Sequence, residues 1–404
     1  MKRYLFSIFF SIIAFITIAG TTVYFYEGQF FVPKSDKTAF LVAPIKDVPG
    51  TIQQYKDDFR VHDVFLMDKN IYKVIGVGNN AFVGSKVKSL KCGDFVETIG
   101  VEACSNCLTL ESVELNDSLL YIGDEAFYNC KNLKYVKFSP NLKRIGVRAF
   151  TLCGIKDTLS LPSSVTEIGY GAFFGTRISC VRLSSNELKI GNNAFAQTRN
   201  FVSVDIDNVV SWCNYEFESE TANPLYYAKK LTINGEDIVD LNLCSPDIVR
   251  IPVGAFRNQQ TIKTIRLGQN VREIDSKAFY TSSINTIYVH SVIPPVITDN
   301  SFTYISYRLA KLIVPKGTRD LYLTAPGWNS FQTIVEEESL TTGFESKLND
   351  KKYYIIDRNI WSDTSLDLNI STITGKILFQ GTTNSYQFEI PGLYIINGEK
   401  IRIE

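Results

Sequence analysis

The side chains best suited to chemistry in this 404-residue chain are two histidines, eight cysteines and 42 carboxylates. Their spacing assembles no reactive constellation. His62 and His290 share no motif with each other or with a carboxylate, as a general base or a metal ligand would require. Gly76-Val-Gly78 and Gly169-Tyr-Gly171 lack the rest of the G-x-G-x-x-G that brings backbone against a pyrophosphate. No serine sits in a G-x-S-x-G elbow. Asp57-Asp58 and Glu236-Asp237 pair carboxylates without a pocket-forming context, and read as solvated surface. Cys104-Ser-Asn-Cys107 is a lone C-x-x-C with no second pair at zinc spacing. Lys plus Arg and Asp plus Glu both number 42, so the chain carries no electrostatic footprint for nucleic acid. The expectation is a protein with no catalytic centre, no cofactor, no metal and no nucleic-acid partner.

What the cysteines do reveal is a period. Cys107, Cys130 and Cys153 stand 23 residues apart. Each lies three residues after the end of a six-residue phrase, apolar-Gly-x-x-Ala-Phe. The phrase starts at Val77, Ile99, Ile122, Ile145, Ile168, Ile190, Trp212, Ile251, Ile274 and Ile297. Its sixth position is Phe82, Phe127, Phe150, Phe173, Phe195, Phe217, Phe256, Phe279 and Phe302, with Cys104 as the single exception. Steps of 22 or 23 residues, interrupted once by 39, identify a solenoid. Each unit of such an array is too small to bury its own apolar face. A cysteine that recurs with the repeat belongs to the stacked core, where it acts as a small hydrophobe. Pairing among Cys92, Cys180, Cys213 and Cys244 is left open.

A second phrase, L-x-x-V-x-L, precedes the first: Leu110 to Leu115, Leu133 to Phe138, Ile178 to Leu183, Ile262 to Leu267 and Ile284 to Val289. Its alternation marks a short strand with one face inward. Ala-Phe is expected on a helical or 3₁₀ turn that plugs the coil. Gly cannot be a strict left-handed site, because Pro252, Asp275 and Thr298 take the same slot. Side chains alternate across a strand, so the residues flanking the inward Val form an outward ladder. The candidate ligand-binding strip is therefore Ser112, Glu114, Tyr135, Lys137, Thr158, Ser160, Arg182, Ser203, Asp205, Thr264, Arg266, Thr286 and Tyr288. Its tyrosines and arginines are the residue types favoured at protein-binding hot spots.

The flanks differ from the array. Lys2 and Arg3 precede a charge-free stretch from Tyr4 to Tyr26, which reads as a secretory signal or an uncleaved membrane anchor. Everything after Glu27 is then exported. The organisation expected is a leader or anchor over 1–26, a capping region over 35–70 and a solenoid over 71–335. A linker over 336–350 and a small β module over 351–404 follow. The 39-residue step holds an insertion at about 214–245, in which Asn234-Gly235 marks a β-hairpin.

The repeats resemble the BspA-like leucine-rich repeats of bacterial surface proteins, whose units read L-x-x-V-x-L-P-x-x-V-x-x-I-G-x-x-A-F. Leu159 to Phe173 follows that pattern closely, and Leu312 to Thr318 with Ala325 to Trp328 resembles the closing coil of such arrays. The last fifty residues, with Ile373-Thr-Gly-Lys376 and Pro391 to Lys400, are similar to the β-sandwich sorting modules of Bacteroidota surface proteins. The resemblance implies a β-rich solenoid of about ten coils with a small C-terminal β-sandwich-like module. It also implies adhesion to host or neighbouring-cell molecules. The function expected is noncatalytic recognition of a protein or glycoprotein partner by an exported chain, at the cell surface or secreted. A cell-envelope scaffold and an accessory polysaccharide-binding protein are the alternatives. Membrane contact is expected only through a retained N-terminal segment.

Overall fold

A unit of 22 or 23 residues has room for one short strand, a corner, a second strand and a return turn, and that is how each coil is built. The structure, a computed structural model, describes residues 14–18, 21–26, 29–42, 55–280, 283–298, 300–337, 346–348, 351–356, 359–372, 376–388, 392–396 and 399–403. The L-x-x-V-x-L phrase of each unit forms a front strand, and the Ile before Gly closes a two-residue back strand. Eleven front strands run from Lys86–Lys91 to Lys311–Pro315, so the array has about eleven turns rather than ten. Neighbouring coils pair parallel and in register: Val113 lies opposite Leu90 and Val136, and Ile122 opposite Ile99 and Ile145.

Between the sheets the phenylalanines stack like coins. Phe127, Phe150, Phe173 and Phe195 follow one another at centroid spacings of 5.1, 5.4 and 5.5 Å with rings tilted by 7° or less. A second stack holds Phe256, Phe279 and Phe302, at 5.5 and 5.1 Å. The recurrent thiols are buried beside the column, and each donates to a carbonyl of the preceding coil. Cys107 reaches Phe82 O at 2.8 Å, Cys130 reaches Cys104 O at 3.0 Å and Cys153 reaches Phe127 O at 3.0 Å. All eight cysteines are free.

The Ala-Phe stretch is not a helix. It is a run of turns closed by bonds three residues back, such as Tyr128 N to Glu125 O at 2.9 Å. The remaining amides bond to the next coil: Glu125 N to Val147 O, Phe127 N to Ala149 O and Asn129 N to Thr151 O, each 2.8 Å. This alternation needs left-handed backbone at the fourth and eighth positions, seen at Glu125 (φ 52°), Asn129 (59°), Arg148 (53°) and Leu152 (59°). The repeated glycine serves close approach instead. A Cβ on Gly123 would lie 2.7 Å from the carbonyl carbon of Gly100 in the coil before.

One copy of the phrase is out of register. Trp212 sits in a helix, Val209–Cys213, capped by the Asn208 carboxamide on Ser211 N at 2.9 Å. Phe217 pairs with Ile190 and so takes the first position of the phrase, not the sixth. The helix adds residues between the front and back strands of that coil, which displaces the phrase along the chain. Leu225 and Trp212 of this stretch are both fully buried in the common core, where the Trp212 ring packs on Tyr215 and Phe217. In the insertion, Lys230–Ile233 continues the front sheet beside Ser203–Ile206, then turns at Asn234 (φ 52°) and Gly235 (φ 84°) onto Glu236–Asp237. The hairpin is thus part of the wall rather than a projection from it.

Further strands adjoin the array at both ends. Gln29–Pro33 and Thr38–Val42 lead into the back sheet through Asn70–Val77, and Phe31 stacks on Phe65 at 4.8 Å. Ala14–Ile18 and Thr21–Tyr26, from the apolar N-terminal stretch, add two antiparallel strands outside them. Among the described residues no helix is long and apolar enough to cross a membrane. At the far end Trp328 is buried with its Nε1 on Pro295 O at 2.7 Å, and Thr333–Glu337 pairs with Lys311–Pro315. The C-terminal strands form a small antiparallel sheet around Leu368, Ile370, Phe388, Tyr394 and Ile396. Residues 373–375 and 391, and most of the expected linker, lie outside the described residues.

Candidate functional site: the front-sheet strip

Parallel, in-register coils convert residues one period apart into columns across the front face. Ser112 stands between Ser89 and Tyr135, and Glu114 between Lys91 and Lys137. Beyond a break, Thr158, Cys180, Ser203 and Lys230 form one column, and Ser160, Arg182, Asp205 and Thr232 the other. After the hairpin, Asp240, Thr264 and Thr286 align, as do Asn242, Arg266 and Tyr288. All thirteen expected residues therefore lie on these two columns, in three separate pieces of sheet. The columns also contain Asp58, Arg60, Ser89, Lys91, Lys230, Thr232, Asp240 and Asn242. Lys-Ser-Leu-Lys over residues 88–91 carries the same alternation as the later strands, and would have marked Ser89 and Lys91. Lys230 and Thr232 fall in the insertion, outside the L-x-x-V-x-L copies from which the strip is read.

Much of the strip is spent on itself. Lys91 Nζ pairs with Glu114 at 3.0 Å, and Arg266 pairs with Asp240 at 3.3 Å while its guanidinium lies 4.4 Å over the Tyr288 ring. Asp205 is 4% exposed, and is not a ligand-facing residue. Its Oδ2 accepts from Arg182, and its Oδ1 from Thr232 Oγ1 at 2.7 Å and Gly235 N at 2.8 Å. Burial pushes its carboxyl pKa up, but these hydrogen bonds and the guanidinium outweigh that and hold it below the ordinary carboxylate value. Asp205 fastens the hairpin to the sheet.

The open part of the strip is around Tyr135 and Lys137. Their strand ends the first piece of front sheet, and the next front strand, Lys156–Ser160, pairs only onward. Asp157, left-handed at φ 64°, shifts the register there. Tyr135 is 57% exposed and the normally inward Val136 is only half-buried. A shallow groove of about 330 Å³ adjoins the patch, lined by Lys91, Asp94, Glu114, Asn116, Asp117 and Lys137. Among the described residues no three His, Cys, Asp or Glu side chains converge to hold a metal ion.

The family model for the BspA type leucine-rich repeat region (6 copies) matches over residues 69–176, 136–241 and 234–342. These overlapping stretches cover more than half of the chain. The protein belongs to the BspA-type leucine-rich-repeat family. Among solved structures, this BspA-type protein is similar to a leucine-rich cell surface protein from Faecalibacterium prausnitzii A2-165. The match has 16% identity and a TM-score of 0.37, and covers 79% of this chain and 96% of that one. A leucine-rich repeat protein of T. pallidum matches at 22% identity and a TM-score of 0.38, over 57% of this chain and 86% of its own. One from Bacteroides ovatus ATCC 8483 matches at 19% identity and a TM-score of 0.34, over 80% and 100%. No curated protein matches.

Proposed function

We propose that this chain is a noncatalytic, exported recognition protein that binds a protein or glycoprotein through its front sheet, in adhesion or cell-surface interaction. The observation that carries the reading is the Tyr135–Lys137 patch. It combines an exposed tyrosine, a half-buried valine and an exposed lysine at the first of the two breaks in the described front sheet. An aromatic anchor beside a cation, ringed by internally satisfied polar groups, is the usual anatomy of a hot spot. Family membership supports a repeat protein used for interaction rather than catalysis. In this reading residues 1–26 direct export as a leader or remain as an anchor, 35–70 cap the array over 71–335, and 336–350 link it to the C-terminal module. The antiparallel sheet of 351–404 would then serve surface sorting.

Protease shaving of intact cells followed by mass spectrometry tests the location: peptides from the solenoid should be released. Confinement to the periplasm would instead favour the scaffold reading. The double variant Tyr135→Ala, Lys137→Glu should abolish capture of a saturable surface partner while leaving the melting temperature unchanged. Retained capture would remove the front sheet from the interaction.

A further inference from the structure

The back sheet is continuous from the N-terminal cap to Glu216–Phe217, stops, and restarts at Arg250–Ile251. Among the described strands none pairs with the outer edge of Glu216–Phe217. The helix Val209–Cys213 adds residues to this coil, and Trp212 donates Nε1 to Ala255 O at 2.9 Å, which ties the cores of the two halves together although their back strands do not pair. Phe217 takes the inward position that is fully buried at Ile122, Ile145 and Ile190, yet it is only half-buried because no strand covers it.

The gap is a cleft of about 370 Å³ with Phe217, Asn214, Glu216, Arg250 and Asp275 among its lining residues. It meets a second groove of about 560 Å³ at Asn214 and Glu216, which continues past Lys189, Glu187 and Thr166. At ~4.8 Å per coil the combined groove spans roughly 20 Å or more. Asp275 stands where most coils have glycine. It is almost wholly buried, and Arg250 Nη2 holds it at 2.6 Å. A polar rim of carboxylates, an amide and a guanidinium therefore surrounds a half-buried aromatic ring. The rim holds three carboxylates (Glu187, Glu216, Asp275) against two cations (Lys189, Arg250). It disfavours a polyanion, and it offers hydrogen-bond acceptors next to donors.

We propose that this groove binds a neutral oligosaccharide. Vicinal hydroxyls need an acceptor and a donor side by side, which Glu216, Asn214 and Arg250 provide, and the apolar face of a sugar ring fits against an aromatic floor. The elongated, open-ended shape suits a chain segment rather than a monosaccharide. The site lies on the opposite sheet from the Tyr135–Lys137 patch and does not depend on that reading.

The test titrates the full exported chain with neutral oligomers of glucose, xylose, mannose and N-acetylglucosamine, and with uronate oligomers, by calorimetry and saturation-transfer NMR. At least one neutral series should bind, with affinity rising with chain length. The double variant Asn214→Ala, Glu216→Ala should weaken it by about tenfold or more. Both side chains are exposed, so the melting temperature should not move. Tyr135→Ala, Lys137→Glu should leave this binding intact. No neutral series binding at millimolar concentration would overturn the proposal. So would binding that survives the Asn214/Glu216 variant, or binding by uronate oligomers alone.

Discussion

The guanidinium of Arg182 grips the carboxylate of Asp205 across one coil step, through Nε at 2.9 Å and Nη2 at 2.7 Å on the same oxygen. The other oxygen holds Thr232 and the turn amide of Gly235, so one buried carboxylate joins three consecutive front strands and the hairpin. Asp205→Ala leaves these donors facing a cavity and should cost about 2–4 kcal/mol, read as a shift in the denaturant midpoint. The pH dependence has a definite sign. A carboxyl held below its unfolded value contributes stability that is fully present above the ordinary aspartate range near pH 4, and loses it as pH falls through the lower folded value. The wild type should therefore lose stability in acid more steeply than Asp205→Ala. Parallel acid profiles would refute the assignment.

The register of Phe217 separates two kinds of phenylalanine that share one phrase. Phe150 lies fully buried between Phe127 and Phe173, and its truncation to alanine should cost ~3–5 kcal/mol through lost transfer energy and a cavity that cannot collapse. Phe217, half-buried at the edge of the cleft, should cost clearly less, of order 1–2 kcal/mol. Equal losses in urea titrations would restore Phe217 to the stack.

Periodicity carried most of the fold because each coil repeats one packing problem, and the inward positions of Val113, Ile122 and Phe127 are dictated by it. Where the chain departs from the period, the letters alone mislead. Trp212 and Phe217 preserve the spacing of the phrase by coincidence, while the Asn208-capped helix uses up the intervening residues. The outward strip was legible as a set of positions, since alternation assigns a face. Its energetic character was not, because whether Asp205 is free or clamped depends on a partner, Gly235, supplied by a turn thirty residues on. The back-sheet groove left no signal at all: it is made by strands that fail to pair.

The two structural demands of the corner, close approach at its second position and left-handed backbone at its eighth, predict opposite outcomes. Gly123→Ala would drive a methyl to 2.7 Å from backbone of the preceding coil, which no side chain can relieve, so the variant should be strongly destabilised or fail to fold. Leu152 is left-handed at φ 59° and 37% exposed, and Leu152→Asn should stabilise by ~0.5–1 kcal/mol by relieving backbone strain. Thermal melts of the two variants check both; a neutral Gly123→Ala would show that the coils do not approach so closely.

Thiol accessibility tests the stacked cysteine column in the native state. The thiolate is the reactive form, and burial raises the Cys92 pKa to about 12 and that of Cys104 well above its ordinary value. Cys107 is raised by its hydrogen bond with Cys130 and by burial; at Cys130 the hydrogen bond with Cys107 pulls the other way, but that with Cys153 and burial together outweigh it. Cys180 and Cys244 are the two cysteines with partial solvent access. A disulfide-exchange reagent at mild alkaline pH should therefore label Cys180 and Cys244 quickly and the other six only on unfolding. The slow phase should follow the global unfolding rate, because each of these thiols opens only when its coil leaves the stack. Fast native labelling of Cys107, Cys130 or Cys153 would mean that the array breathes at its corner, and that its repeated Sγ-to-carbonyl bonds do not hold one coil to the next.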